Sequence, residues 1–269
     1  MIVDEFIENP KMLSDFANQK KDWSNFLTLL HLLLVKHGER KFHLASTSKR
    51  HSKNLRDLAD KLELKWKVVS GTELFEYQKQ VTPLPQIVID AFGNKINGRN
   101  THGLVIAKDE NDLDSLEGSV FSDSNTGKIL EYPDCCVDWF VNNTSSDWEE
   151  LYAFVIEQSP EGANTPVENI IQMMDKCDGH VPETRNRIKK IRVNHIAESR
   201  DTMPFIFFQP CDVCLISASF SPARKLNEKY ANFAKENYLQ SYKNIIAKGK
   251  IDADNYDLLH ERISGNETQ

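Results

Sequence analysis

The chain has 269 residues, with 33 Lys and Arg against 40 Asp and Glu, for a net charge of −7. Residues 1–108 carry 17 basic and 12 acidic side chains, residues 109–157 carry 1 and 13, and residues 158–269 carry 15 of each. No basic block is present to grip a phosphate backbone, which excludes general DNA coating, and 40% hydrophobic with 27% charged residues excludes an unfolded chain.

The N-terminus, Met1-Ile2-Val3-Asp4-Glu5, is acidic where a signal peptide is basic. The longest apolar run, Phe26 to Val35, is interrupted by Thr28 and His31 and falls short of the roughly 20 apolar residues a bilayer span needs. Five cysteines without an export signal argue against a disulfide framework. The expectation is a cytoplasmic protein without membrane segments, in which clustered thiols signal metal or redox chemistry.

From Pro10 to Lys36, Leu13, Phe16, Trp23, Phe26, Leu27, Leu30, Leu33 and Leu34 recur at helical steps, and Gly38 supplies a stop. A strand over Lys41–Ala45 leads into a polar loop, Ser46 to Ser52. An amphipathic helix with Leu55, Leu58, Leu62 and Leu64 inward follows, then a strand over Trp66–Val69, together a β-α-β unit. After Thr82-Pro83-Leu84-Pro85, a strand over 86–92 and another over 102–107 suggest a hairpin around a Gly/Asn-rich turn.

Beyond residue 109 the pattern is helical. Ser146 and Glu149 have capping-box spacing before Trp148, Leu151, Tyr152 and Val155. Thr165-Pro166-Val167-Glu168 reads as cap, first-turn proline and acid, with Val167, Ile170, Ile171 and Met174 on one face. A long helix over 217–247, with a break near Pro222, and a shorter one over 252–263 complete the chain. The fold class expected is an α/β part with a small mixed sheet, residues 1–108, followed by a mainly α-helical part, residues 109–269.

Four of the five cysteines lie in two short motifs, Tyr132-Pro133-Asp134-Cys135-Cys136-Val137 and Gln209-Pro210-Cys211-Asp212-Val213-Cys214. A C-x-x-C pair turns two sulfurs to one side, and both motifs follow a proline and precede residues able to start a helix, whose N-terminal amides favour thiolate. Cys135, Cys136, Cys211 and Cys214 therefore form a candidate four-thiolate ligand set for an iron–sulfur cluster or zinc. Leu215-Ile216 stands where a zinc knuckle carries glycine, and vicinal cysteines fit one small ion poorly, so the spacing leans toward iron–sulfur. Metal-free redox thiols, or cysteines simply packed with Trp139 and Phe140, are the other readings. Cys177 stands alone and reads as core.

At these residues the chain resembles a largely archaeal family known as domain of unknown function 483. The likeness rests on Tyr132-Pro133-Asp134-Cys135-Cys136-Val137 with Phe140, then Pro210-Cys211 with Cys214, Ser217 and Ser219, and covers about residues 102–235. Glu131 replaces the family's glycine, and Gln209 stands where a His-like polar residue would be comfortable. The resemblance implies a thiol-centred site and no particular reaction.

His195 and Glu198, three apart on a helical stretch, are candidates for an additional ligand and an acid–base pair, against the alternative of a surface ion pair. Ser46, Thr47, Ser48, Lys49 and Arg50 form a candidate anion cradle, although no glycine is there to let backbone approach a pyrophosphate. The run Arg185 to Arg192 is a candidate contact for RNA or an acidic partner, with a solvated helix face opposite the acidic stretch as the simpler account. Tyr230, Phe233, Tyr238 and Tyr242 at helical spacing suggest packing against the helix over 148–156.

Two functions are compatible with this pattern. One is an intracellular metalloprotein performing redox or metal-assisted chemistry on a small substrate. The other is a non-enzymatic, zinc-stapled module that binds a protein or RNA partner. The acidic stretch encloses Cys135 and Cys136, flanked by Asp134 and Asp138, which disfavours a free thiolate and suits a bound cation.

Overall fold

A computed structural model describes residues 23–70, 84–86, 88, 90, 101–116, 123–144, 147–177, 179–217 and 220–265. The expected helical residues 10–22, the turn over 93–100, and Ser146 and Ser219 lie outside them. Helix α1 (Trp23–His37) is followed by β1 (Phe42–Ser48), α2 (Lys49–Lys61), β2 (Lys65–Ser70) and β3 (Thr101–Ala107). The helical part comprises α3 (Glu110–Asp114), α4 (Asp123–Ile129), α5 (Asp134–Thr144), α6 (Trp148–Gln158), α7 (Val167–Lys176), α8 (Pro182–Thr202), α9 (Asp212–Ile216), α10 (Pro222–Asn237) and α11 (Leu239–Gly265). Among the described residues no helix is long and apolar enough to cross a membrane.

Helix α1 is the centre of the molecule. Leu27, Leu29, Leu30, Leu32, Leu33, Leu34 and Val35 are all fully buried, so the helix is apolar all round rather than along one stripe. The sheet, α10 and α11 pack around it. Gly38, at φ +76°, ends it as expected: Gly38 N–H donates to Val35 O and Glu39 N–H to Leu34 O, the paired bonds of a Schellman stop. Helix α2 ends the same way with Glu63 at φ 59°; it buries Leu55 and Leu58, and Leu62 and Leu64 are buried just past its end.

The sheet has the order β1-β3-β2, and both ladders are antiparallel. Phe42 pairs with Ala107 and Ser48 with Thr101 on one side of β3; Lys65 pairs with Ala107 on the other. β1, α2 and β2 thus form a split β-α-β unit with β3 inserted between the two strands. The sheet is not mixed, and the expected hairpin is absent: Gln86, Val88 and Asp90 are helical, and 101–107 pairs with β1 and β2 instead. β3 is buried on both faces, with Leu104 and Ile106 in the core around α1 and Val105 and Ala107 against Leu113, Leu116 and Leu130. The polar loop expected over 46–52 does not exist. Ser46, Thr47 and Ser48 continue β1, and Lys49 and Arg50 already belong to α2.

One core runs from Leu30 and Leu104 to Phe205, Cys214, Tyr230 and Ile245, joining residues from both stretches of the chain. Tyr230, Phe233, Tyr238 and Tyr242 pack there, not against α6, which forms a separate core with α7 through Leu151, Val155, Ile170 and Met174. The helix expected over 217–247 is two helices. Ser221 caps α10 with Pro222 at its first position, and Tyr238, at φ −145° and ψ 60°, breaks the chain before α11, which runs unbroken through 252–263. α6 is capped one residue later than expected: Asp147 accepts from Glu150 N–H. The Thr165 hydroxyl donates back to Gly162 O rather than capping α7.

Candidate metal centre

Helix α4 ends in a third Schellman stop, with Glu131 N–H donating to Lys128 O (3.0 Å) and Tyr132 N–H to Gly127 O (2.9 Å). Glu131 carries the left-handed turn at φ 58°. Pro133 then opens α5, its carbonyl accepting from Cys136 N–H (2.8 Å) and Val137 N–H (3.0 Å). Cys135 and Cys136 consequently occupy the first turn of α5. The second motif is built alike: Cys211 is the N-cap of α9, Cys214 is its third residue, and Leu215 N–H donates to Cys211 O (3.0 Å).

Both motifs meet at the edge of the main core. The four Sγ atoms of Cys135, Cys136, Cys211 and Cys214 lie within 4.8 Å of one another and could hold a metal ion. Cys135 Sγ stands 3.9 Å from Cys136 Sγ and 3.8 Å from Cys214 Sγ, so adjacent position in the chain does not separate the vicinal pair. Cys211 N–H points at Cys136 Sγ at 3.3 Å, a backbone donor aimed at a sulfur as thiolate sites require. Three of the sulfurs belong to buried residues and Cys135 is exposed. All four thiols are free, as is half-buried Cys177, which caps α7 away from the group.

The electrostatics are those of four thiols sharing one space. Burial pushes Cys135 up to about 11, reinforced by Cys214 and Cys211. Burial pushes Cys136 far above the usual thiol range, with the Cys211 N–H acting in the opposite direction. Cys214 is held below it: burial opposes ionisation, but bonds from Ala223 N–H, the Ser221 hydroxyl and the neighbouring thiols outweigh that cost. The main causes are burial and the thiols themselves, not the flanking Asp134 and Asp138. Burial and mutual repulsion oppose joint ionisation of the group, and a cation among the sulfurs would favour the thiolate form.

A clamp of three side chains ties the two cysteine-bearing elements to α8. His195 is buried on α8 with Nδ1 3.1 Å from Pro210 O and Nε2 2.9 Å from Asp212 Oδ1. Trp139, one turn beyond the vicinal cysteines, stacks on His195 and donates from Nε1 to Asp212 Oδ2 at 2.9 Å. Both imidazole nitrogens face protein oxygens, so His195 ties the second motif to α8 rather than adding a ligand. Glu198 is exposed and is not in the four-sulfur group, and the side chains of the candidate anion cradle, Ser46, Thr47, Ser48, Lys49 and Arg50, lie outside the described residues.

The sequence pattern names Trp139 only as a packing partner of the cysteines and does not single out Asp212, although a signal for both was present. Trp139 lies three and four residues after Cys136 and Cys135, hence on their face of a helix, and Asp212 sits inside the C-x-x-C itself. In the basic run, Arg192 donates to Thr144 O (2.6 Å) at the C-terminus of α5 and lies over the Phe140 ring. Part of that run therefore anchors the cysteine helix.

No family model, curated protein or solved structure matches the chain.

Proposed function

We propose that Cys135, Cys136, Cys211 and Cys214 bind a single tetrahedral ion, zinc, that staples the start of α5 to α9. The observation that carries this reading is the spacing of the sulfurs, all within 4.8 Å. Zinc–thiolate bonds of about 2.3 Å put tetrahedral sulfurs about 3.8 Å apart. The separations of 3.9 Å and 3.8 Å at Cys135 match that edge. A cubane iron–sulfur cluster places each thiolate on a different iron, outside a four-iron box, and spreads the sulfurs farther. Four protein thiolates also close the coordination sphere, the arrangement of a structural rather than a catalytic zinc.

A stapled module needs a partner surface, and Val213, Ile216 and Phe220 supply one. They are 70%, 79% and 80% exposed within the segment that carries Cys214. Exposed Asp134, Asp138 and Asp212 border the same two helix starts, so the fitting partner is a protein with an apolar centre and a basic rim. A second reading, an iron–sulfur centre doing redox chemistry on a small substrate, is supported by a cleft that reaches Cys136. We also propose membership of the domain of unknown function 483 family. The left-handed backbone at Glu131 supports it, since glycine, the family's residue there, adopts that conformation most readily.

Elemental analysis of anaerobically purified protein tests the reading. One zinc per chain, lost in the variant with all four cysteines changed to serine, is the expected result. Iron with acid-labile sulfide and absorbance near about 400 nm would move the assignment to the second reading.

A further inference from the structure

A cleft of about 290 Å³ opens between α4, α5 and the segment that leads into the second cysteine motif. Its walls are Leu130, Val137, Tyr132, Phe140, Phe207 and Phe208, and Cys136 borders it. Among the described residues no acidic, basic or histidine side chain lines it. The volume is small for a ligand site and matches one or two fused rings rather than a nucleotide.

The walls are fixed in advance. Tyr132 packs on Phe208, with ring centroids 4.5 Å apart, and lies under the Arg40 guanidinium, 5.5 Å from the ring centroid. Phe207 is held edge-on by His31 at 5.0 Å. Helices α4 and α5 approach so closely that a Cβ on Gly127 would sit 2.5 Å from Val137 Cγ2. An apolar cleft with rigid walls favours a rigid, flat ligand, because neither side gives up much conformational freedom.

One polar atom is left over. Gln209 Oε1 is buried without a hydrogen-bond partner, on a residue that lines the cleft. A buried acceptor without a donor is costly, and a ligand N–H or O–H placed against it removes that cost. An ionised ligand would meet no counter-charge and would be disfavoured.

We infer that this cleft binds an uncharged aromatic or heteroaromatic molecule that donates one hydrogen bond to Gln209 and lies in contact with Cys136. The inference does not depend on which metal the sulfurs bind, or on whether they bind one.

The test is a ligand-observed NMR titration of the full-length protein with indole, which carries one N–H donor, and with benzofuran, its isostere without one. Indole should bind at least about fivefold more tightly than benzofuran, the ratio expected for one buried hydrogen bond. Gln209→Leu should bring the two affinities together. Thr126→Phe, which fills the cleft from its half-buried rim, should abolish binding of both. Equal affinities in the unaltered protein, no binding of either probe, or binding that survives in folded Thr126→Phe protein would each overturn the assignment. Because the comparison of probes is made on the unaltered protein, it stands even if a variant fails to fold.

Discussion

Trp139 lies on His195 with ring centroids 4.2 Å apart and planes inclined by 27°. The contact joins the helix of the vicinal cysteines to α8, and Asp212 closes it by accepting from Trp139 Nε1 and pairing with His195 Nε2, both at 2.9 Å. Asp212 directly follows Cys211, so the clamp sets where the second pair of sulfurs stands relative to the first. Asp212→Ala is expected to weaken binding at the proposed zinc site by about tenfold or more, the usual effect of removing a group that orients a ligand. Chelator competition measures it. Unchanged affinity would mean that the clamp holds the fold but not the site.

The four cysteines should respond unequally to substitution. Cys136, Cys211 and Cys214 are buried in the core as well as belonging to the sulfur group, whereas Cys135 is exposed. Serine at the three buried positions is expected to lose the metal and lower thermal stability. Cys135→Ser should weaken metal binding while leaving the metal-free fold intact. Cys177→Ser, outside the group, should keep full metal content. Metal analysis with thermal melts of the five variants checks the order.

Acid should unfold the protein through its histidines. His31 and His43 are buried beside Arg40; burial, then the guanidinium, pushes His43 down to about 3 and His31 well below the usual value. A histidine whose folded value is depressed binds its proton more readily in the unfolded chain. Its contribution is therefore present above about 6.5 and is lost as the pH falls from there toward 3, at up to about 1.4 kcal/mol per pH unit for one such group. His43 Nε2 has no hydrogen-bond partner, so His43→Phe should cost little at pH 7 and flatten the acid limb. Urea melts at pH 7, 6, 5 and 4 test this; an unchanged slope in His43→Phe would contradict it.

Two backbone positions near the site make opposite predictions. Glu131 holds a left-handed turn at φ 58°, which costs a non-glycine residue about 1 kcal/mol or more. Glu131→Gly should therefore raise stability by about 1 kcal/mol, roughly 2–4 °C in a chain of this size. Gly127→Ala would favour the isolated helix, but its new Cβ would lie 2.5 Å from Val137 Cγ2, so a loss of about 1–3 kcal/mol is expected. Scanning calorimetry of both variants decides.

What could be read from the chain alone follows the range of the interaction. The stop at Gly38, the inner face of α2 and the two helix starts under the cysteines are local, and their residues signal them directly. The placement of β3 between β1 and β2 is a pairing across tens of residues, so the run after Pro85 looked like its partner when it is not. The Ser46–Ser52 segment was polar enough to suggest a loop, yet pairing with Gly103, His102 and Thr101 draws Ser46, Thr47 and Ser48 into the sheet. His195 read as half of a surface pair with Glu198 because only neighbours along α8 are visible in sequence; its actual partners, Trp139 and Asp212, come from α5 and α9. That the four sulfurs converge was suggested by the two paired-cysteine motifs, whereas the clamp joining α5, α8 and α9 is a long-range contact that no local pattern signals.

The central claim is one tetrahedral ion on four thiolates, and the metal-edge X-ray absorption spectrum of the purified protein tests it most directly. The account expects a zinc edge with four sulfur neighbours at about 2.3 Å and no metal–metal scattering. A first shell containing nitrogen or oxygen, or scattering from a second metal, would contradict it.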